Sequence, residues 1–193
     1  MAFTESSLER ALNGLGELLE ARGLSYRLAA VGGGAMLLLD LIARPTNDLD
    51  LVAQIEAGDA VGVDPLPAAL KEAITDVARA LDLPANWLNP GPASLLDLGL
   101  PAGFVERGHT RHYGGLDLLL ADRLDQIHFK LYASVDQGPR SKHFADLKAL
   151  EPTRDELAMA SRWARTHDPS DGFAGELAKA LEALGAGGAD ELG

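Results

Sequence analysis

Cysteine is absent from this chain of 193 residues, which excludes a disulfide framework, a thiolate metal site and a cysteine nucleophile. Any chemistry must run on oxygen and nitrogen groups. No run of about eighteen apolar residues is present to span a bilayer. The N-terminus also lacks a basic region followed by an apolar one, so neither a membrane helix nor a signal peptide is expected. The sequence reads as a soluble, cytoplasmic protein with no membrane partner. Positive charge is scarce: 17 lysines and arginines stand against 29 acids, a formal net charge of -12. That balance weighs against general attachment to nucleic acid, which is driven by neutralising phosphates. The cations gather at Arg107/His109/Arg111/His112 and at Arg140/Lys142/His143, two patches that solvated loops explain as well as a binding surface does.

With 47% hydrophobic and 24% charged residues, the chain lies in the ordinary globular range and can bury one sizeable core. Leu8, Leu12, Leu15 and Leu19 have helical spacing over residues 4–22, with Ser6 and Glu9 placed for a capping box and Gly23 as the stop. Tyr26 to Val31 reads as a buried strand, Ala35 to Ile42 as two turns of helix closed by Arg44-Pro45, and Asp48 to Ala53 as a strand alternating acid and aliphatic. Residues 56–66 read as a surface loop, 67–81 as a helix, and 84–103 as irregular with one helical turn near Ser94 to Leu98. A strand is expected over Leu116 to Ala121, a helix from an Asp122 cap to Asp136, and helices over 141–150, 153–166 and 173–184 before a mobile Gly-rich acidic tail. Strands interleaved with helices predict an α+β (α/β) domain with a small mixed sheet flanked by helices and a C-terminal helical extension.

Two features carry chemistry. Gly32, Gly33 and Gly34 stand between a buried strand and a helix, where the backbone can approach a ligand and a helix N-terminus favours phosphate. Asp48 and Asp50 are two apart on a strand, so both project from one face within reach of one cation. Mg²⁺ takes hard oxygen ligands and is often held by one or two carboxylates together with substrate phosphates. Each feature has a plain competitor. Gly32-x-Gly34 with Asp50 eighteen residues on superficially fits a dinucleotide fingerprint, although Leu37 stands where its third glycine belongs. An isolated Asp-x-Asp is also common on an edge strand facing water.

Taken together, hydrophobic-Gly-Gly, a short helix, Arg44-Pro45-Thr46 and then Asp48-Leu49-Asp50-Leu51 resemble the signature of the nucleotidyltransferase superfamily related to DNA polymerase beta. Closer still, the chain is similar to the branch that includes the AbiEii-type toxin nucleotidyltransferases and the small bacterial group DUF6036. Trp87-Leu88-Asn89 looks like a Trp-Leu-Asn element of that group, which usually continues with Asp where this chain has Pro90. The helix with Lys130, and the following one with Asp146 before Leu147, resemble later elements of the same families.

The resemblance implies a nucleotidyltransferase fold over 1–150, with 151–193 as C-terminal helices and a flexible tail of the same domain. It assigns Gly32, Gly33, Gly34 and Thr46 to the nucleotide, Asp48 and Asp50 to the metal, Lys130 to the triphosphate and Asp146 to an acid role. Mg²⁺ or Mn²⁺ is the implied cofactor and an NTP the implied substrate. The acceptor hydroxyl belongs to a tRNA end, a protein or a small molecule, in a toxin-antitoxin or phage-defence setting with an antitoxin-like protein partner. Many enzymes of the superfamily use a third carboxylate on a neighbouring strand, for which Asp117 is the candidate. Other readings of the residues stay open: Lys130 as an exposed helix charge, Asp146 as an i, i+4 partner of Lys142, and Asp117 as an outward polar position. Without a complete set of acids, the chain would be a nucleotide-binding or partner-binding module. His112, His128 and His143 lack metal spacing, His128 reading as a structural histidine and Trp87 and Trp163 as core or domain-edge residues.

Overall fold

The computed structural model describes residues 2–97 and 99–186. The chain forms two compact units, Met1–Asp122 and Arg123–Gly193, a division that falls ahead of residue 150. Mixed α+β architecture holds: among the described residues there are one six-stranded mixed sheet and eight α-helices. None of these helices is long and apolar enough to cross a membrane.

The first unit begins with α1 (Glu5–Ala21), whose leucine stripe is fully buried. Its cap lies two residues earlier than expected, because Thr4 and Ser7 form the capping box. Glu9 is thereby left to a different task. It receives hydrogen bonds from Arg111 and from the Tyr113 hydroxyl, and burial, with this carboxylate beside it, pushes the Tyr113 hydroxyl up to about 12. Of the first cationic patch, Arg107 ends a short helix while His109, Arg111 and His112 lie on a strand, and these three have separate partners. Arg111 turns to Glu9 and the Leu38 carbonyl, while His109 and His112 pair with Asp122 and Asp117 at 3.0 and 2.6 Å.

Six strands make the sheet: β1 (Tyr26–Val31), β2 (Leu49–Glu56), β3 (Asp59–Val61), β4 (Leu88–Asn89), β5 (His109–Tyr113) and β6 (Leu116–Leu120). Their order is β3-β2-β1-β6-β5, with β4 also against β2. The pair β1/β6 and the pair β2/β4 are parallel, and the rest are antiparallel. β3 occupies the stretch expected to be a loop. Ala57 and Gly58 both have positive φ, 51° and 98°, the backbone that a two-residue hairpin needs. No Asn-Gly or Asp-Gly stands there to signal it. α2 (Gly32–Leu38) starts at the glycines themselves and ends four residues before the expected Ile42, with Asp40 at φ 56°. α3 (Ala68–Ala80) lies with α1 on one face, where leucines 28, 49, 51, 116, 118 and 120 join both helices in one apolar cluster. Trp87 belongs to that cluster, as a core residue should, and its indole N–H donates to the Ile74 carbonyl at 3.2 Å. A short 3-10 turn at Ala93–Leu96 fills the place of the expected helical turn, of which Leu98 lies outside the described residues. α4 (Phe104–Arg107) precedes β5.

The second unit is helical: α5 (Arg123–Gln137), α6 (Lys142–Ala149), α7 (Arg154–His167) and α8 (Asp171–Ala183). The expected Thr153/Glu156 box caps α7. Ser141 and Ser170 cap α6 and α8, and the acidic tail beyond residue 186 lies outside the described residues. Trp163 is half-buried among His128, Phe129, Tyr132 and His167, with ring centroids 4.3 to 5.9 Å away. His128 is buried, and its Nδ1 lies 2.7 Å from the Leu124 carbonyl, which agrees with a structural histidine.

Candidate functional site

Strand register brings the two halves of the signature together. β1 and β2 are antiparallel, so the last residue of β1, Val31, pairs with Asp50 near the start of β2. Gly32 follows Val31 directly. Its φ is 75°, a conformation that disfavours any other residue, and a Cβ added there would stand 3.0 Å from Asp50 Oδ2. A side chain at position 32 would therefore fill the space in front of the carboxylate.

The neighbouring glycines complete the enclosure. A Cβ on Gly33 would meet the Thr46 hydroxyl at 3.1 Å and an Arg44 guanidinium nitrogen at 3.3 Å. One on Gly34 would meet the Asp48 carbonyl at 2.8 Å and Leu49 at 2.7 Å. Thr46 is buried and donates its hydroxyl to the Asp48 carbonyl at 3.2 Å, which ties the loop into β2. Asp48 sits one residue ahead of β2, and Asp48 and Asp50, both half-buried, flank the buried Leu49. Gly32, Gly33, Gly34, Thr46, Asp48 and Asp50 are thus gathered at one end of the sheet.

Two residues outside the expected set join them. Arg44 borders Gly33, as described. Asn89 lies opposite Asp50 in the β2/β4 register and donates from Nδ2 to Asp50 Oδ1 at 3.3 Å. The Trp-Leu-Asn run marked this segment in the sequence, but nothing in the sequence pairs it with β2.

Asp117 goes elsewhere. β6 runs parallel to β1, and Asp117 pairs with Arg27, four residues before Val31, or about 13 Å along the sheet at ~3.3 Å per residue. Its carboxylate takes His112 as partner at 2.6 Å. Side chains alternate along a strand, so the β6 position that shares its face nearer the glycine turn is Leu119, which is buried and apolar, as is Ala121 just past the strand. The sheet accordingly brings no third carboxylate beside Asp50 from β6.

Lys130 and Asp146 lie in the second unit and face each other. Lys130 Nζ donates to Asp146 Oδ2 at 2.7 Å, with 4% and 2% of the side chains exposed. Lys130 is therefore no exposed helix charge, and Asp146 pairs across helices, not with Lys142 on its own. Helical periodicity alone could not reveal this, since the contact joins residues sixteen apart on two helices.

Asp48 and Asp50 carry carboxylate oxygens, the kind of donor a hard divalent cation takes. Among the described residues no cluster of three or more His, Asp or Glu could hold a metal, and a site of two carboxylates would need substrate oxygens to complete it. No protein-family model, curated protein or solved structure matches this chain.

Proposed function

We propose that the first unit binds a nucleoside triphosphate with Mg²⁺ (or Mn²⁺) and that the protein transfers its nucleotide to an acceptor hydroxyl, as a member of the polymerase-beta-like nucleotidyltransferases. The observation that carries this reading is the pairing of Val31 with Asp50, which sets the glycine turn against the carboxylate. In the reaction the acceptor oxygen bonds to the α-phosphorus, the bond to the bridging oxygen of the β-phosphate breaks, and pyrophosphate leaves. A bound Mg²⁺ supplies charge neutralisation for the phosphate oxygens. The first turn of α2 offers backbone N–H donors to an anion, Arg44 adds positive charge beside Gly33, and Asp48 and Asp50 hold the cation. Such chemistry is mostly positioning and electrostatics, and a tRNA end, a protein side chain or a small molecule could supply the hydroxyl.

A second reading, a nucleotide-binding module without transfer, is favoured by one observation: Asp117 stands away from the turn, beside His112. Mg²⁺-dependent incorporation of labelled NTP in extracts, comparing the natural chain with Asp48→Ala and Asp50→Ala, tests the choice. Labelling by the natural chain alone supports transfer. Equal labelling by all three would sink it, and Mg-nucleotide binding without labelling would select the second reading.

A further inference from the structure

Asp50 can serve a cation only if its carboxylate is turned the right way, and the hydrogen bonds around Asn89 show one group that turns it. Oδ1 of Asn89 accepts the Gly91 backbone N–H at 2.8 Å. That bond distinguishes the two ends of the amide: the oxygen faces the loop and the NH₂ faces β2. The NH₂ donates to Asp50 Oδ1 and to the Asn86 carbonyl, both at 3.3 Å. Held at Oδ1 from the β4 side, the Asp50 carboxylate directs Oδ2 toward Gly32. Gly91 matters because a Cβ there would stand 2.8 Å from Asn89 Oδ1 and push the amide away.

We propose that Asn89 is a positioning residue that sets the Asp50 carboxylate for the cation, and that Gly91 acts through Asn89. The proposal rests on the reading of Asp48 and Asp50 as a metal site. An amide donates a hydrogen bond to a carboxylate without adding a charge of its own. Second partners of metal-binding carboxylates and imidazoles typically change metal affinity by ~10–100-fold.

The test is Mn²⁺ affinity of the full chain, followed by water-proton relaxation, for the natural protein, Asp50→Asn, Asn89→Ala, Gly91→Ala and the double variant Asn89→Ala/Gly91→Ala. Thermal melting of each is the structural control. Expected are loss of Mn²⁺ binding for Asp50→Asn, at least ~10-fold weaker binding for Asn89→Ala, and a double variant no weaker than Asn89→Ala. If Asn89→Ala disturbs β4, Gly91→Ala keeps the asparagine and only displaces its amide, so weaker binding by it at unchanged melting supports the proposal. Natural affinity in both single variants would overturn it. Multiplicative losses in the double variant would overturn the claim that Gly91 works through Asn89. A natural chain that binds no Mn²⁺ would remove the metal-site reading and the proposal with it, a failure distinct from a natural chain that binds while its Asn89 variant binds equally well.

Discussion

Asp50 in the first unit and Asp146 in the second both accept from a side-chain nitrogen, yet under opposite conditions. Asp50 is half-buried and accepts from the neutral amide of Asn89 at 3.3 Å, while Asp146 is buried and accepts from the Lys130 ammonium at 2.7 Å. A neutral donor orients a carboxylate and leaves its charge for a cation. An ammonium cancels that charge, which is what burial demands. Asp50 thus has a neutral donor among its partners, whereas Asp146 is matched by an ammonium, so any part that Lys130 and Asp146 take in transfer starts from that pairing.

The sharpest way to break the comparison is to remove one partner of the buried pair. Lys130→Met should cost ~3–5 kcal/mol of stability by leaving a buried charge unmatched. The double variant Lys130→Met/Asp146→Leu should regain most of it, both measured by urea denaturation. A small loss in the single variant would mean that the pair is not a charge partnership. Asp50→Asn, by contrast, should change stability within ~1 kcal/mol, the ordinary scale for a partly exposed polar position, while it abolishes Mn²⁺ binding. A comparable loss in Asp50→Asn would make the first site structural too.

A smaller effect belongs to the cap of α7. The Arg123 hydrogen bond holds the Glu156 carboxyl below its usual range. A carboxyl depressed in the folded state adds stability above its unfolded value and loses that contribution as pH falls through the folded one. Glu156→Gln should therefore be less stable than the natural chain at neutral pH, by less than ~1 kcal/mol for so partly exposed a pair, and the gap should close in acid. Asp117→Asn should have the least effect of all, leaving Mn²⁺ affinity unchanged, since Asp117 sits with His112 at the far end of β1.

Local rules carried the sequence reading as far as local causes reach. The leucine stripe of α1, the alternating strand at Asp50 and the Thr153/Glu156 cap are each set within a few residues, and each formed. Where partners lay far along the chain, the reading failed. β4 exists because Leu88 and Asn89 meet Leu49 and Asp50, and β5 because His109 to Tyr113 lie against β6. Neither segment has a strong strand pattern of its own, so their cations and turns read as loops. In the candidate site the glycines, Thr46 and the aspartates were legible because they sit within nineteen residues, Gly32 to Asp50. Asn89 and the displacement of Asp117 were not, because both depend on strand register.

The central claim is that Gly32 to Gly34 with Asp48 and Asp50 form one site for a metal and a phosphate chain. Titration of the natural chain with an Mn²⁺-nucleoside triphosphate, beside Asp50→Ala and Asp117→Asn, tests it directly. The account predicts saturable binding by the natural chain and by Asp117→Asn, and none by Asp50→Ala. Binding that survives Asp50→Ala, or that is lost in Asp117→Asn alone, would contradict it.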